Sequence, residues 1–177
     1  MSETPDYGTL ERGDESVTIR FSRLLPHPPP KVWRALTEAA HLDAWFPTTI
    51  EGELAAGAPL VFRFSKLSIP PMHGRVISCE PAKLLEFTWD DETLRFELDP
   101  HEAGTLLGFT ATFAEIGKAA RDAAGWHVCL ELLADAMAGQ AGEPLPESQR
   151  WREVHPHYVA AFGPDAAAIG PPQDWQD

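Results

Sequence analysis

Asp90, Asp91 and Glu92 stand side by side, and carboxylates in proximity are the usual means of general acid–base catalysis. They also fall between two runs of alternating apolar residues, "KLLEFTW" and "LRFELDP". Aspartate accepts turn geometry and bonds to nearby backbone, so a tight hairpin is the stronger reading of "DDET". His73, Arg75 and Arg63 come from segments that could border a cavity. A histidine there could exchange protons near neutral pH, and an arginine could orient a carboxylate or an enolate. His73 and Arg75 are therefore weak catalytic candidates. Arg63 alternates with Phe62 and Phe64 and is expected to face solvent. His155 and His157 beside Glu153 offer two or three ligands where a metal ion wants three or four, so no metal and no cofactor is expected. GxSxG, HExxH, GxGxxG and GxxxxGK motifs are all missing, which leans the reading away from an enzyme.

Composition narrows the partners. A chain of 177 residues with 44% hydrophobic content is the size of one domain with a real core. Lys plus Arg number 14 against 27 Asp plus Glu, a formal charge of −13 that repels phosphate backbones and anionic lipid. Nucleic acid and membrane insertion are not expected, and no apolar run approaches the roughly 20 residues of a membrane span. Cys79 and Cys129 form no CxxC pair, and the opening "MSETPDYGTLERGDES" is acidic where a secretory signal is basic. The expectation is a soluble cytoplasmic protein.

Periodicity then places the elements. Residues 1–15 lack it and read as a flexible acidic arm. In "SVTIRFSRLL", Val17, Ile19 and Phe21 alternate with polar residues, as in a strand with one buried face. Pro29 or Pro30 can open a helix with Val32 and Leu36 inward, and a second short helix near 38–44 would deliver Trp45. From 48 to 115 strands and turns alternate, with Leu60, Phe62 and Phe64, then Leu85, Phe87 and Trp89, then Leu94, Phe96 and Leu98, then Leu107, Phe109, Ala111 and Phe113 on the buried sides. Short turns between them imply an antiparallel meander. The longest helix follows. Trp126, Leu130, Leu133 and Met137 form its inner stripe, His127, Glu131 and Asp135 its polar side, and Gly139 its left-handed stop. Gly125 inside it implies a close backbone approach or a bend. Residues 140–177 turn proline-rich and acidic. Trp151, Val154 or His155, Tyr158 and Phe162 still share a helical face that Pro156 should kink, and the last dozen residues read as disordered.

The stretches "PPPKVWRALTEAAHLDAWFP", "GRVISCEPAKLLEFTW" and "AGWHVCLELLADAMAG", in this order, resemble the SRPBCC (START-like) superfamily, in the bacterial branch related to the activator of Hsp90 ATPase. The resemblance implies an α+β helix-grip fold. About six to seven antiparallel strands would curve around the long C-terminal helix, with two short helices after the first strand. The domain would span 16–139, between the arm and an extension, 140–177, packed in part on the body. A cavity between sheet and helix would take apolar small molecules, with Trp45 and Phe46 near its mouth as plug or as ligand contact. Its lining would draw on Phe62, Phe64, Phe87, Trp89, Phe96, Phe109, Trp126, Leu130 and Leu133, residues that a closed core would need equally.

Three functions follow as expectations. The first is a carrier or sensor of a lipid-like or aromatic metabolite. The second is a cyclase- or aromatase-like enzyme in the same cavity, which needs an ionisable side chain inside it. The third is a chaperone-activator-like interaction module, with a chaperone or a second copy of the chain as partner.

Overall fold

The structure, a computed structural model, describes residues 6–64, 67–141 and 149–171. Eight strands form one antiparallel sheet in the order β1-β2-β8-β7-β6-β5-β4-β3: β1 (Thr9–Arg12), β2 (Val17–Leu25), β3 (Thr49–Glu51), β4 (Pro59–Arg63), β5 (Met72–Glu80), β6 (Leu84–Trp89), β7 (Glu92–His101) and β8 (Gly104–Phe113). Two short helices, α1 (Pro29–Thr37) and α2 (Ala39–Leu42), carry the chain from β2 to β3 at the far edge. The long helix α3 (Ala119–Met137) and the helix α4 (Gln149–Phe162) follow the sheet.

The alternation in the sequence becomes rows across the sheet. Phe21 faces Phe109, Phe109 faces Phe96 and Phe96 faces Leu85, and all four are buried. Opposed apolar side chains on one face are the unit of sheet stability, and this face carries α1 and α3. Pro29 and Pro30 occupy the first turn of α1, where a missing N–H costs nothing, and Val32, Ala35 and Leu36 turn inward. At the other end of the body Gly139 takes φ +78°, and the Gln140 N–H reaches back to the Asp135 carbonyl at 2.8 Å to close α3.

Four expectations need correction. The sheet has eight strands rather than six or seven, because β1 and β3 are four and three residues long and too exposed to show alternation. For the same reason part of the expected arm is structured: Thr9–Arg12 pairs with Val17–Arg20, while residues 1–5 lie outside the described residues. Pro156 sits inside one continuous helix, α4, instead of dividing it. Within the expected disordered end, Pro164–Ala167 forms a single 3-10 turn with Ala166 buried, and residues 172–177 lie outside the described residues.

His127 brings a further correction: expected on the exposed side of α3, it is 2% exposed. The amphipathic α4 lies along that side, burying Trp151, Val154, Tyr158 and Phe162. His127 Nδ1 is 2.8 Å from the Tyr158 hydroxyl and its Nε2 is 3.1 Å from Glu131. The same hydroxyl accepts from the Gly8 N–H at 2.8 Å, and a Cβ at Gly8 would stand 2.6 Å from the Phe21 ring, so only glycine brings the N-terminal strand this close. Arg150 donates to both oxygens of Glu131, and Arg12 of β1 donates to Asp165 at 2.7 Å. Burial would raise the Glu131 carboxyl, but hydrogen bonds from His127 and Arg150 and their charges hold it at about 2.

Candidate functional site

A cavity of about 670 Å³ opens between the segment that follows α2, the β6–β7 turn, α3 and the first turn of α4. Six aromatic residues border it: Trp45, Phe46, Phe64, Trp89, Trp126 and Trp151. Trp45 is fixed by the carbonyl of Leu42 on its backbone N–H and by its indole N–H donating to the Ala35 carbonyl at 2.8 Å. Phe46 then stands 5.8 Å from Trp126 and 6.1 Å from Trp89, ring centre to ring centre, and Trp89 stands 5.4 Å from Trp126. Trp45 and Phe46 are both nearly buried and both on the cavity wall, so each plugs the end of the core and lines the space. Gly125 of α3 also borders the cavity.

Of the residues expected in the lining, Trp45, Phe46, Phe64, Trp89 and Trp126 reach it. Phe62, Phe87, Phe96, Phe109, Leu130 and Leu133 do not; each is at most 2% exposed and belongs to the close-packed core beneath. The division has a physical reason. Phe87 and Phe96 lie in mid-sheet with rings 6.3 Å apart, and Phe96 and Phe109 are 4.8 Å apart, so these aromatics fill one another's space. The void opens where the turn after Trp89 ends the sheet. Neither His73 nor Arg75 enters it. Both are exposed on β5, and Arg75 donates to the Gly57 carbonyl. Arg63 faces solvent and pairs with Glu51 at 3.0 Å. His155 stacks on Trp151, His157 on Tyr7, and among the described residues no three side chains are grouped to hold a metal.

The cavity nevertheless has ionisable groups that the reading of the sequence passed over. Glu92 opens β7 opposite Trp89 and is 3% exposed. Its Oε1 accepts from Lys118 Nζ at 2.7 Å, and Lys118 also stands 3.7 Å from Asp122. Burial and the neighbouring Asp122 charge push the Glu92 carboxyl up to about 7, with Lys118 opposing them only in part. The two signals were present in the sequence. Glu92 keeps the two-residue step of Leu94, Phe96 and Leu98, which places it on the inner face, and Lys118 and Asp122 continue the four-residue step that leads to Trp126. Only the Asp90–Asp91 pair is the turn, with Asp90 at φ +58°.

An open antiparallel sheet gripping a long C-terminal helix, with an aromatic cavity at its end, defines the helix-grip class of the SRPBCC superfamily. Within that class the chain belongs to the family described as Activator of Hsp90 ATPase homolog 1-like protein, whose model matches residues 26–138. Among solved structures it is similar to EF2215, a conserved protein of unknown function from Enterococcus faecalis, at 23% identity and a TM-score of 0.72, covering 88% of this chain and 90% of that one. It is likewise similar to CalU16 from Micromonospora echinospora, at 22% identity and a TM-score of 0.71, covering 87% and 96%. Protein MLL2253 from Mesorhizobium loti is 26% identical with a TM-score of 0.60, covering 69% of this chain and 97% of that one. No curated protein matches the chain.

Proposed function

We propose that the protein binds an apolar small molecule, lipid-like or aromatic, in this cavity and serves as its carrier or sensor. The observation that carries the reading is a void of about 670 Å³ walled by six aromatic residues. Ligand pockets for drug-sized molecules span roughly 300–1,000 Å³, mostly apolar with a few placed polar groups. Family membership supports a binding domain of this kind.

The test is binding of the neutral dye Nile red, together with mass spectrometry of small molecules released on denaturation. Wild-type protein should bind the dye at one site. Gly125→Leu, which adds bulk to a residue of the lining, and Trp126→Ala, which removes a wall, should each lose it while circular dichroism shows a folded chain. Dye binding that persists in both variants would end the proposal.

An enzymatic reading in the same cavity draws support from Glu92, an ionisable group of suitable range at the wall; turnover lost in Glu92→Gln with binding kept would favour it. The interaction reading loses the apolar face of residues 151–162 as a docking surface, because α4 buries Trp151, Val154, Tyr158 and Phe162 within the molecule. Deleting residues 140–177 should therefore unfold or destabilise the body.

A further inference from the structure

We propose that the cavity is built for an organic cation, a molecule with an apolar body and a protonated or quaternary amine held between the aromatic wall and Glu92. This rests on the cavity being a ligand site, and it names the chemistry of the ligand.

Among the described residues the charge around the cavity is one-sided: Asp43, Asp90, Asp91, Glu92 and Asp122 border it, against the two bases Lys118 and Arg121. Both bases are already engaged: Lys118 with Glu92, Asp122 and, at 4.0 Å, Asp91; Arg121 with Asp122 at 2.9 Å. Among the described residues an anionic ligand would meet surplus carboxylates and bases already paired. A cation would meet a field focused by low-dielectric walls.

Glu92 is the second and independent observation. It is one of the most buried acids of the chain, and while Oε1 takes the Lys118 ammonium, Oε2 has no hydrogen-bond partner and no access to water. A buried acceptor left in this way is costly, and more so when it is charged. A neutral apolar ligand would leave that cost in place. A cation in the adjoining cavity offsets it through space, without needing an N–H donor to reach the oxygen, and favours the ionised carboxylate.

The aromatic wall suits the same ligand. Trp89, Trp126 and Phe46 stand within 5.4–6.1 Å of one another, ring centre to ring centre. The Trp89 indole N–H points to the Thr48 hydroxyl at 3.4 Å and the Trp45 N–H to the Ala35 carbonyl. With those N–H groups committed to the protein, the aromatic rings bordering the cavity are left to attract an ammonium group through their π systems.

Three probes that share one body separate the possibilities: (2-naphthylmethyl)trimethylammonium, 2-naphthylmethanol and 2-naphthoate, titrated into the full chain at low salt with tryptophan fluorescence as readout, alongside Nile red. The cation should bind about tenfold more tightly than the alcohol, and naphthoate most weakly. Glu92→Gln should cut the cation's advantage several-fold and leave the alcohol unchanged. Lys118 and Asp122 stand against Glu92, with Asp91 and Arg121 paired to those two, and burial with the Asp122 charge pushes the Glu92 carboxyl up to about 7. Cation affinity should therefore rise between pH 6 and 8 in the wild type and stay flat in Glu92→Gln. Nile red bound with no preference for the cation, or with naphthoate preferred, would overturn this inference and leave the cavity reading standing. Failure of Nile red and all three probes would overturn both.

Discussion

Glu92 shows how one side chain can set the character of a site. Its carboxyl, raised to about 7 by burial and by Asp122, binds a proton in the folded protein across a range where an unfolded glutamate, near 4.5, has lost it. More protons on the native state mean that stability falls as pH rises through that interval. Glu92→Gln removes the effect. The stability of the wild type relative to this variant should decline from pH 4.5 to 7 and level off above, as urea melts at several pH values would show. In the core beneath, Phe109 packs against Phe21, Phe96 and Trp126, and Phe109→Ala should cost about 3–5 kcal/mol in the same melts. Sequence reasoning found the aromatics and missed the acid, for an instructive reason. The two-residue step and the turn chemistry both claimed "DDET", and the turn was given three acids when it uses two. What the sequence could not disclose was which aromatics face a void. Phe87 and Trp89 share a face and a spacing, and only the end of the strand separates a core residue from a wall residue.

At the scale of elements, the lesson lies in α4. Its apolar stripe was legible, but not the surface it would cover, because the buried partner on α3 is a histidine that reads as solvent-facing. Tyr158 joins three segments through one hydroxyl, bonded to Gly8 and His127. Tyr158→Phe leaves both partners buried without that bond, so the variant should be less stable by about 1–3 kcal/mol in urea. Burial already pushes the Tyr158 hydroxyl up to about 12, so the bond holds across the neutral range. By contrast β2, α1 and β6–β8 were readable almost residue by residue, since each has one wet face and one dry one.

For the whole molecule the charge of −13 and the ties of the C-terminal region act together. Glu131, held at about 2 against 4.5 unfolded, contributes stability that is complete above pH 4.5 and lost as pH falls toward 2. Acid should therefore loosen α4 from α3 in that window. Hydrogen exchange of the α4 amides, measured from pH 5 down to 2.5, should accelerate ahead of those in β7 and β8, and Glu131→Gln should remove the lag. Among the described residues no helix is long and apolar enough to cross a membrane.

Trp151 belongs to α4, yet it forms part of the cavity wall with the segment after α2, with Trp89 of β6 and with residues of α3. During synthesis the sheet and the long helix emerge first, and the cavity stays open on one side until residue 151 has been made and has docked. A nascent chain therefore presents a cavity that lacks one of its walls until Trp151 has docked.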